Sequence, residues 1–133
     1  MNTSAPSPPR TLVGVRVLLV DDDVQHLELL SVLLRQAGAR VEAAQSAQEA
    51  FDSFLAEPPN VLVSDLAMPN TSGFNLIRRI RALPGGRDVP AVALSALPWQ
   101  QARSEALQAG FTEWVSKPGA DNLVAVVARL ARG

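Results

Sequence analysis

The sequence predicts an α/β fold in which five parallel strands form one sheet covered by helices on both faces. Three observations predict it. Short apolar segments and segments of helical spacing alternate five times along the 133 residues, as in a series of strand–helix units. The stretch 60–65, Asn-Val-Leu-Val-Ser-Asp, is Val-rich and nearly unbroken rather than alternating, which suits a strand buried on both faces of a parallel sheet. That stretch runs onto a carboxylate, Asp65, at the carboxyl end of its strand, where open α/β sheets bind ligands.

The elements follow in order. Residues 1–14 are expected to form a flexible tail or linker, since Pro6, Pro8 and Pro9 oppose a helix. Residues 15–133 then make one domain of ordinary size. A strand at 15–20 runs into Asp21, Asp22 and Asp23. Leu27, Leu30 and Leu34 recur at helical spacing within 24–37, and Gly38 closes that helix. The less apolar strand 40–44 belongs at a sheet edge. Ser46-Ala47-Gln48-Glu49 is a capping box that opens a helix reaching residue 56, stopped by Pro58 and Pro59. After the central strand, Pro69 halts regular structure. A helix spans 73–83, with Phe74, Ile77 and Ile80 on its inner face. Pro84-Gly85-Gly86 is a loop, and strand 89–94 ends at Ser95. Pro98 suits the first turn of a fourth helix that runs to residue 109 and stops at Gly110. Strand 113–116 leads into Lys117-Pro118, and Leu123, Val126, Val127 and Leu130 mark the last helix.

Composition narrows the function. A net charge of −1 gives no electrostatic basis for binding nucleic acid or a membrane surface. With no cysteine there is neither a disulfide framework nor a thiolate metal site. No apolar run approaches the roughly 20 residues of a membrane span, and the first ten residues lack the apolar core of a signal peptide. The expectation is a cytoplasmic domain whose partners include no nucleic acid and no membrane. Every basic residue except Lys117 is an arginine. Lysine is a compact point charge where arginine is a planar fork, so the exception suggests a place where the fork does not serve.

In a parallel sheet all strands end on one edge. That brings Asp21, Asp22, Asp65, Ser95 and Lys117 together although they are distant in sequence. Carboxylates gathered within a few ångström repel unless a cation lies between them. A donor set of oxygens alone, without His or Cys, favours a hard ion, and carboxylates with one carbonyl and waters suit Mg²⁺. A hydroxyl and an ammonium beside metal-bound carboxylates suit the handling of phosphoryl oxygens. Blander roles stand beside this reading: Asp23 as the N-cap of the first helix, and His26 as a solvated residue of that helix. Trp99 either caps the core or stands exposed on the fourth helix.

The residues that carry a resemblance are now in view: Val17-Leu18-Leu19-Val20-Asp21-Asp22-Asp23, Ser64-Asp65-Leu66-Ala67-Met68-Pro69 with Gly73, Leu94-Ser95-Ala96, Ala109-Gly110-Phe111 and Lys117-Pro118. Together they resemble the receiver domain of two-component response regulators over about residues 15–131. The resemblance implies a flavodoxin-like, doubly wound sheet of strand order 2-1-3-4-5 with five helices. It implies Asp65 as phosphoacceptor, with Mg²⁺ held by Asp22, Asp65 and the Ala67 carbonyl, and by Asp21 through water. Ser95 and Lys117 would hold phosphoryl oxygens, and the Lys117-Pro118 bond would be cis. Trp114 stands where the family has a switch aromatic on the fifth strand. The implied partners are a histidine kinase or a histidine phosphotransfer protein and an output partner that the sequence does not name. Ala67 and Leu97 stand where the family often has polar groups, and Gly119 where an apolar residue is usual.

Such a domain is no enzyme in the ordinary sense; it assists its own phosphorylation and dephosphorylation. Two other functions compete. One is a receiver-like interaction module that works without phosphorylation. The other is an Asp-nucleophile phosphatase, whose Asp-x-Asp spacing is met by Asp21 and Asp23 but which needs a cap segment. No effector segment follows the last helix in this sequence, so both a stand-alone regulator and a receiver from a hybrid histidine kinase fit.

Overall fold

The computed structural model describes residues 10–68, 72–96, 99–116 and 120–132, with the backbone alone at 99–102, 120 and 121. Lys117, Pro118, Gly119, Pro69, Leu97, Pro98, the Trp99 side chain and residues 1–9 therefore lie outside what is described.

Five strands and five helices alternate: β1 (Arg16–Val20), α1 (Val24–Gln36), β2 (Arg40–Ala44), α2 (Ala47–Ala56), β3 (Val61–Asp65), α3 (Gly73–Arg81), β4 (Ala91–Ser95), α4 (Trp99–Ala109), β5 (Glu113–Ser116) and α5 (Ala120–Arg132). The strands form one parallel sheet in the order β2-β1-β3-β4-β5. This is the flavodoxin-like receiver fold the sequence implied. β3 and β4 are buried along their whole length, whereas β2 lies at an edge and is mostly exposed. The run of unalternating apolar residues in β3 thus reports two covered faces.

Each face of the sheet has its own core. Val17, Leu19, Val61, Val63, Val92, Leu94 and Val115 point to the side of α1 and α5, where Leu27, Leu30, Leu34, Leu123 and Val127 meet them. The alternate residues Leu18, Val20, Leu62, Ala91 and Ala93 face Phe54, Leu76, Ile77 and Ile80 on the other side. This period of two along strands and the helical spacing on α1, α3 and α5 fix the register between layers.

Boundaries differ from the sequence reading where side chains compete for the backbone. β4 begins at Ala91 rather than residue 89, because the Val89 carbonyl accepts from the Arg81 guanidinium. The packed unit also reaches upstream of residue 15. Leu12 is fully buried, and its N–H donates to the Ala37 carbonyl at 2.8 Å. Gly38, at φ +105°, turns the chain beneath this segment, and a Cβ there would stand 2.6 Å from Val13 Cγ2.

Arg81 ties three loops together. Its guanidinium donates to the carbonyls of Gly110 at 3.0 Å, Gly86 at 2.8 Å and Val89 at 2.5 Å. Burial pulls its pKa down, and Asp88 opposes that shift. Arg81→Met is expected to cost about 3 kcal/mol of stability, the scale of charged hydrogen bonds lost in a cooperating set. Arg81→Lys should recover little of it, since one ammonium cannot replace the planar fork. Urea unfolding of the two variants checks this.

Candidate functional site

Register alone assembles the acidic site. β1 and β3 pair so that Val20 lies opposite Ser64. The next residues, Asp21 and Asp65, therefore leave the sheet side by side. On the other flank Asp65 pairs with Leu94, so Ser95 lies one step beyond it at the end of β4. Ser95 in turn pairs with Ser116 on β5, the residue before Lys117.

Asp21 is fully buried, Asp65 is 5% exposed and Ser95 is 2% exposed. One carboxylate oxygen from each of Asp21, Asp22 and Asp65 lies within 4.8 Å of the others. Asp22 is exposed and opens the cluster to solvent. Three carboxylates this close, two of them buried, present an all-oxygen donor set that a hard divalent cation fits. Of the expected site, the structure brings the three carboxylates together with Ser95 nearby, while Lys117 lies outside the described residues.

The surrounding backbone holds the carboxylates in place. Asp65 Oδ1 accepts from the Ala67 N–H at 3.3 Å. Ser64 Oγ donates to the Asp65 carbonyl at 2.9 Å, and the Gly73 N–H donates to the Leu66 carbonyl at 3.0 Å. Leu66, directly after β3, is thus clamped against the start of α3. Gly73 is required for this approach, because a Cβ would stand 2.3 Å from the Asp65 carbonyl oxygen. Asp23 is the N-cap of α1, its side chain accepting from the N–H groups of Gln25 and His26. It serves the helix rather than the cation cluster, as its position before the helix suggested.

His26 departs from the sequence expectation. It is half-buried, and its Nδ1 lies 2.5 Å from Asp21 Oδ2. The sequence carried part of the signal, since His26 is the third residue of α1 and helical side chains lean back toward the N-terminus. The ring therefore covers the turn that carries Asp21.

The family model for the response regulator receiver domain matches residues 17–128. The chain belongs to that family. Receiver domains act in two-component signal transduction, where they meet histidine kinases or phosphotransfer proteins and bind Mg²⁺ through an acidic cluster such as the one found here.

Known proteins agree with this assignment. A 14.6 kDa protein encoded in the sodA1 3′ region of Leptolyngbya boryana is 43% identical over 109 residues, 82% of this chain and 83% of that protein. The phosphate regulon transcriptional regulatory protein PhoB of Pseudomonas aeruginosa is 29% identical over 107 residues, 80% of this chain. The receiver matches only 47% of PhoB, about half the length of that regulator. Among solved structures, a Chloroflexus aurantiacus J-10-fl protein assigned as a response regulator superposes with a TM-score of 0.85 at 30% identity, covering 90% of this chain and 98% of its own.

On the far side of the sheet edge, the Trp114 indole packs against the core formed with α3 and α4. Its Nε1–H is buried without a hydrogen-bond partner among the described residues. No helix among the described residues is long and apolar enough to cross a membrane.

Proposed function

We propose that this receiver is a phosphorylation-controlled switch in which Asp65 takes a phosphoryl group from a phosphohistidine with Mg²⁺. The observation that carries the reading is the placement of Asp65, 5% exposed at the end of the central strand, with the carboxylates of Asp21 and Asp22 within 4.8 Å. A lone pair on an Asp65 carboxylate oxygen forms the new P–O bond. The P–N bond of the donor breaks, and the departing ring nitrogen keeps its electron pair. Asp22, Asp65 and the Ala67 carbonyl would hold Mg²⁺, with Asp21 reaching it through water. When bound, the cation offsets negative charge gathering on the phosphoryl oxygens. The Ala67 N–H fixes the Asp65 carboxylate for attack. Ser95 and Lys117 are assigned to the phosphoryl oxygens of the product.

Output is assigned to the surface of α4, β5 and α5. Phosphorylation adds about two negative charges at Asp65. Drawing Ser95 toward them shifts the end of β4, and Trp114 on the paired strand β5 repacks in response. A change from roughly 1:99 to 99:1 would need about 5.5 kcal/mol, so a partial shift is expected. In a Trp99→Phe background, Ser95→Ala should accept the phosphoryl group yet give a smaller change in Trp114 emission. Lys117→Arg should be impaired in both respects. Parent-like switching in both variants would remove these roles.

Incubation with a histidine-phosphorylated donor separates the competing functions. A stable, acid-resistant count of one phosphoryl group is not expected, since acyl phosphates hydrolyse. The expected product is a labile phosphorylated form that decays over time and appears only with Mg²⁺. Continuous turnover of small phosphate esters would instead identify a phosphatase. Partner binding unaffected by the donor would identify a phosphorylation-independent module. We propose that the transfer takes place in the cytoplasm and is carried by residues 15–133 together with the lead-in from Leu12 that packs against them.

A further inference from the structure

We infer that His26 is a positioning residue for the cation site, acting through Asp21. The inference rests on the proposed function, because it concerns the same acidic cluster. Its basis is the 2.5 Å contact between His26 Nδ1 and Asp21 Oδ2. The His26 side chain is 17% exposed and that of Asp21 is fully buried. A carboxylate that serves a cation is ionised and can only accept, so Nδ1 carries the proton in this pair.

The second oxygen of Asp21 is also engaged. Oδ1 accepts from the Asp23 N–H at 3.0 Å, and the Asp21 N–H itself donates to the Ala44 carbonyl at 3.1 Å. Both carboxylate oxygens and the backbone of Asp21 are therefore fixed by donors or acceptors of this chain. An Asp21 held on both sides in this way is suited to accept from cation-bound water rather than to swing onto the cation. The contact thus holds Asp21 where it would reach a cation through water, beside Asp22 and Asp65. It also explains how a fully buried carboxylate stays oriented before any cation arrives. Groups that orient metal-site residues in this manner change affinity about 10–100-fold when removed.

Asparagine places an N–H donor close to the position of Nδ1, and leucine fills similar space without a donor. Mg²⁺ titrations of the parent, His26→Asn and His26→Leu, read by backbone amide shifts, test the inference. His26→Leu should bind Mg²⁺ at least about tenfold more weakly, and His26→Asn should recover most of the loss. In the parent, the ring ¹⁵N spectrum should show a protonated Nδ1 both with and without Mg²⁺. Parent-like affinity in His26→Leu, equal impairment in both variants or an unprotonated Nδ1 would overturn the assignment. A parent that binds no Mg²⁺ would instead defeat the proposed function. In that case the Nδ1 signal still decides whether His26 donates to Asp21.

Discussion

Asp65→Asn is expected to abolish phosphoryl labelling while leaving the fold intact. Asparagine keeps the size of the side chain and an Oδ1 able to accept from the Ala67 N–H. It removes the proposed nucleophile, since an amide oxygen does not form the acyl phosphate. It also removes one of three carboxylates clustered within 4.8 Å, and so relieves repulsion in the cation-free protein. Stability without Mg²⁺ is therefore expected to stay within about 1 kcal/mol of the parent or to rise. Stabilisation by added Mg²⁺ should fall, because a ligand of the folded state alone stabilises according to its affinity. Thermal melts with and without Mg²⁺ and a labelling time course check both halves. Labelling at the parent rate in Asp65→Asn would move the acceptor elsewhere.

Gly73→Ala is expected to damage fold and site together. The added methyl would lie 2.3 Å from the Asp65 carbonyl oxygen and 3.0 Å from Leu66 Cα. Both are backbone atoms of the segment that carries the proposed acceptor, so no side chain can swing aside to make room. Overpacking of this kind costs about 1–3 kcal/mol, and the higher end is expected. The displaced backbone should also slow labelling. Two other glycines separate these effects. At Gly86 a Cβ would stand 1.9 Å from the Ile80 carbonyl oxygen, away from the acidic cluster. Gly86→Ala should therefore lose comparable stability yet label normally at temperatures where it is folded. At Gly85 nothing lies within 4 Å of the added Cβ, and Gly85→Ala should be close to neutral. Normal labelling by folded Gly73→Ala would show that the loop after β3 tolerates displacement.

The fold was legible because its signals are local and repeated. Val61–Asp65 has no polar face to mark one side as solvent, and α3 and α5 show their buried stripes at helical spacing. The acidic cluster was legible for a different reason. Parallel strands end on one edge, so residues that close β1 and β3 must be neighbours. The strand limits were less clear at 89–90, where a distant arginine takes the carbonyl that a strand would use. Leu12 escaped because the short lead-in Leu12-Val13-Gly14, after three prolines, is too brief to show a periodicity. His26 escaped because spacing places a residue on a turn without naming the partner of its ring. That required the position of Asp21, which depends on β1 pairing with both β2 and β3.

The most direct measurement is the location of the phosphoryl group after exposure to a small-molecule phosphodonor, in Mg²⁺ and in excess chelator. Reductive trapping of the acyl phosphate followed by peptide mass analysis identifies the modified residue. One phosphoryl group on Asp65, formed in Mg²⁺ and absent with chelator, is the predicted result. Modification at another residue, or equal modification of Asp65 with and without Mg²⁺, would contradict the account.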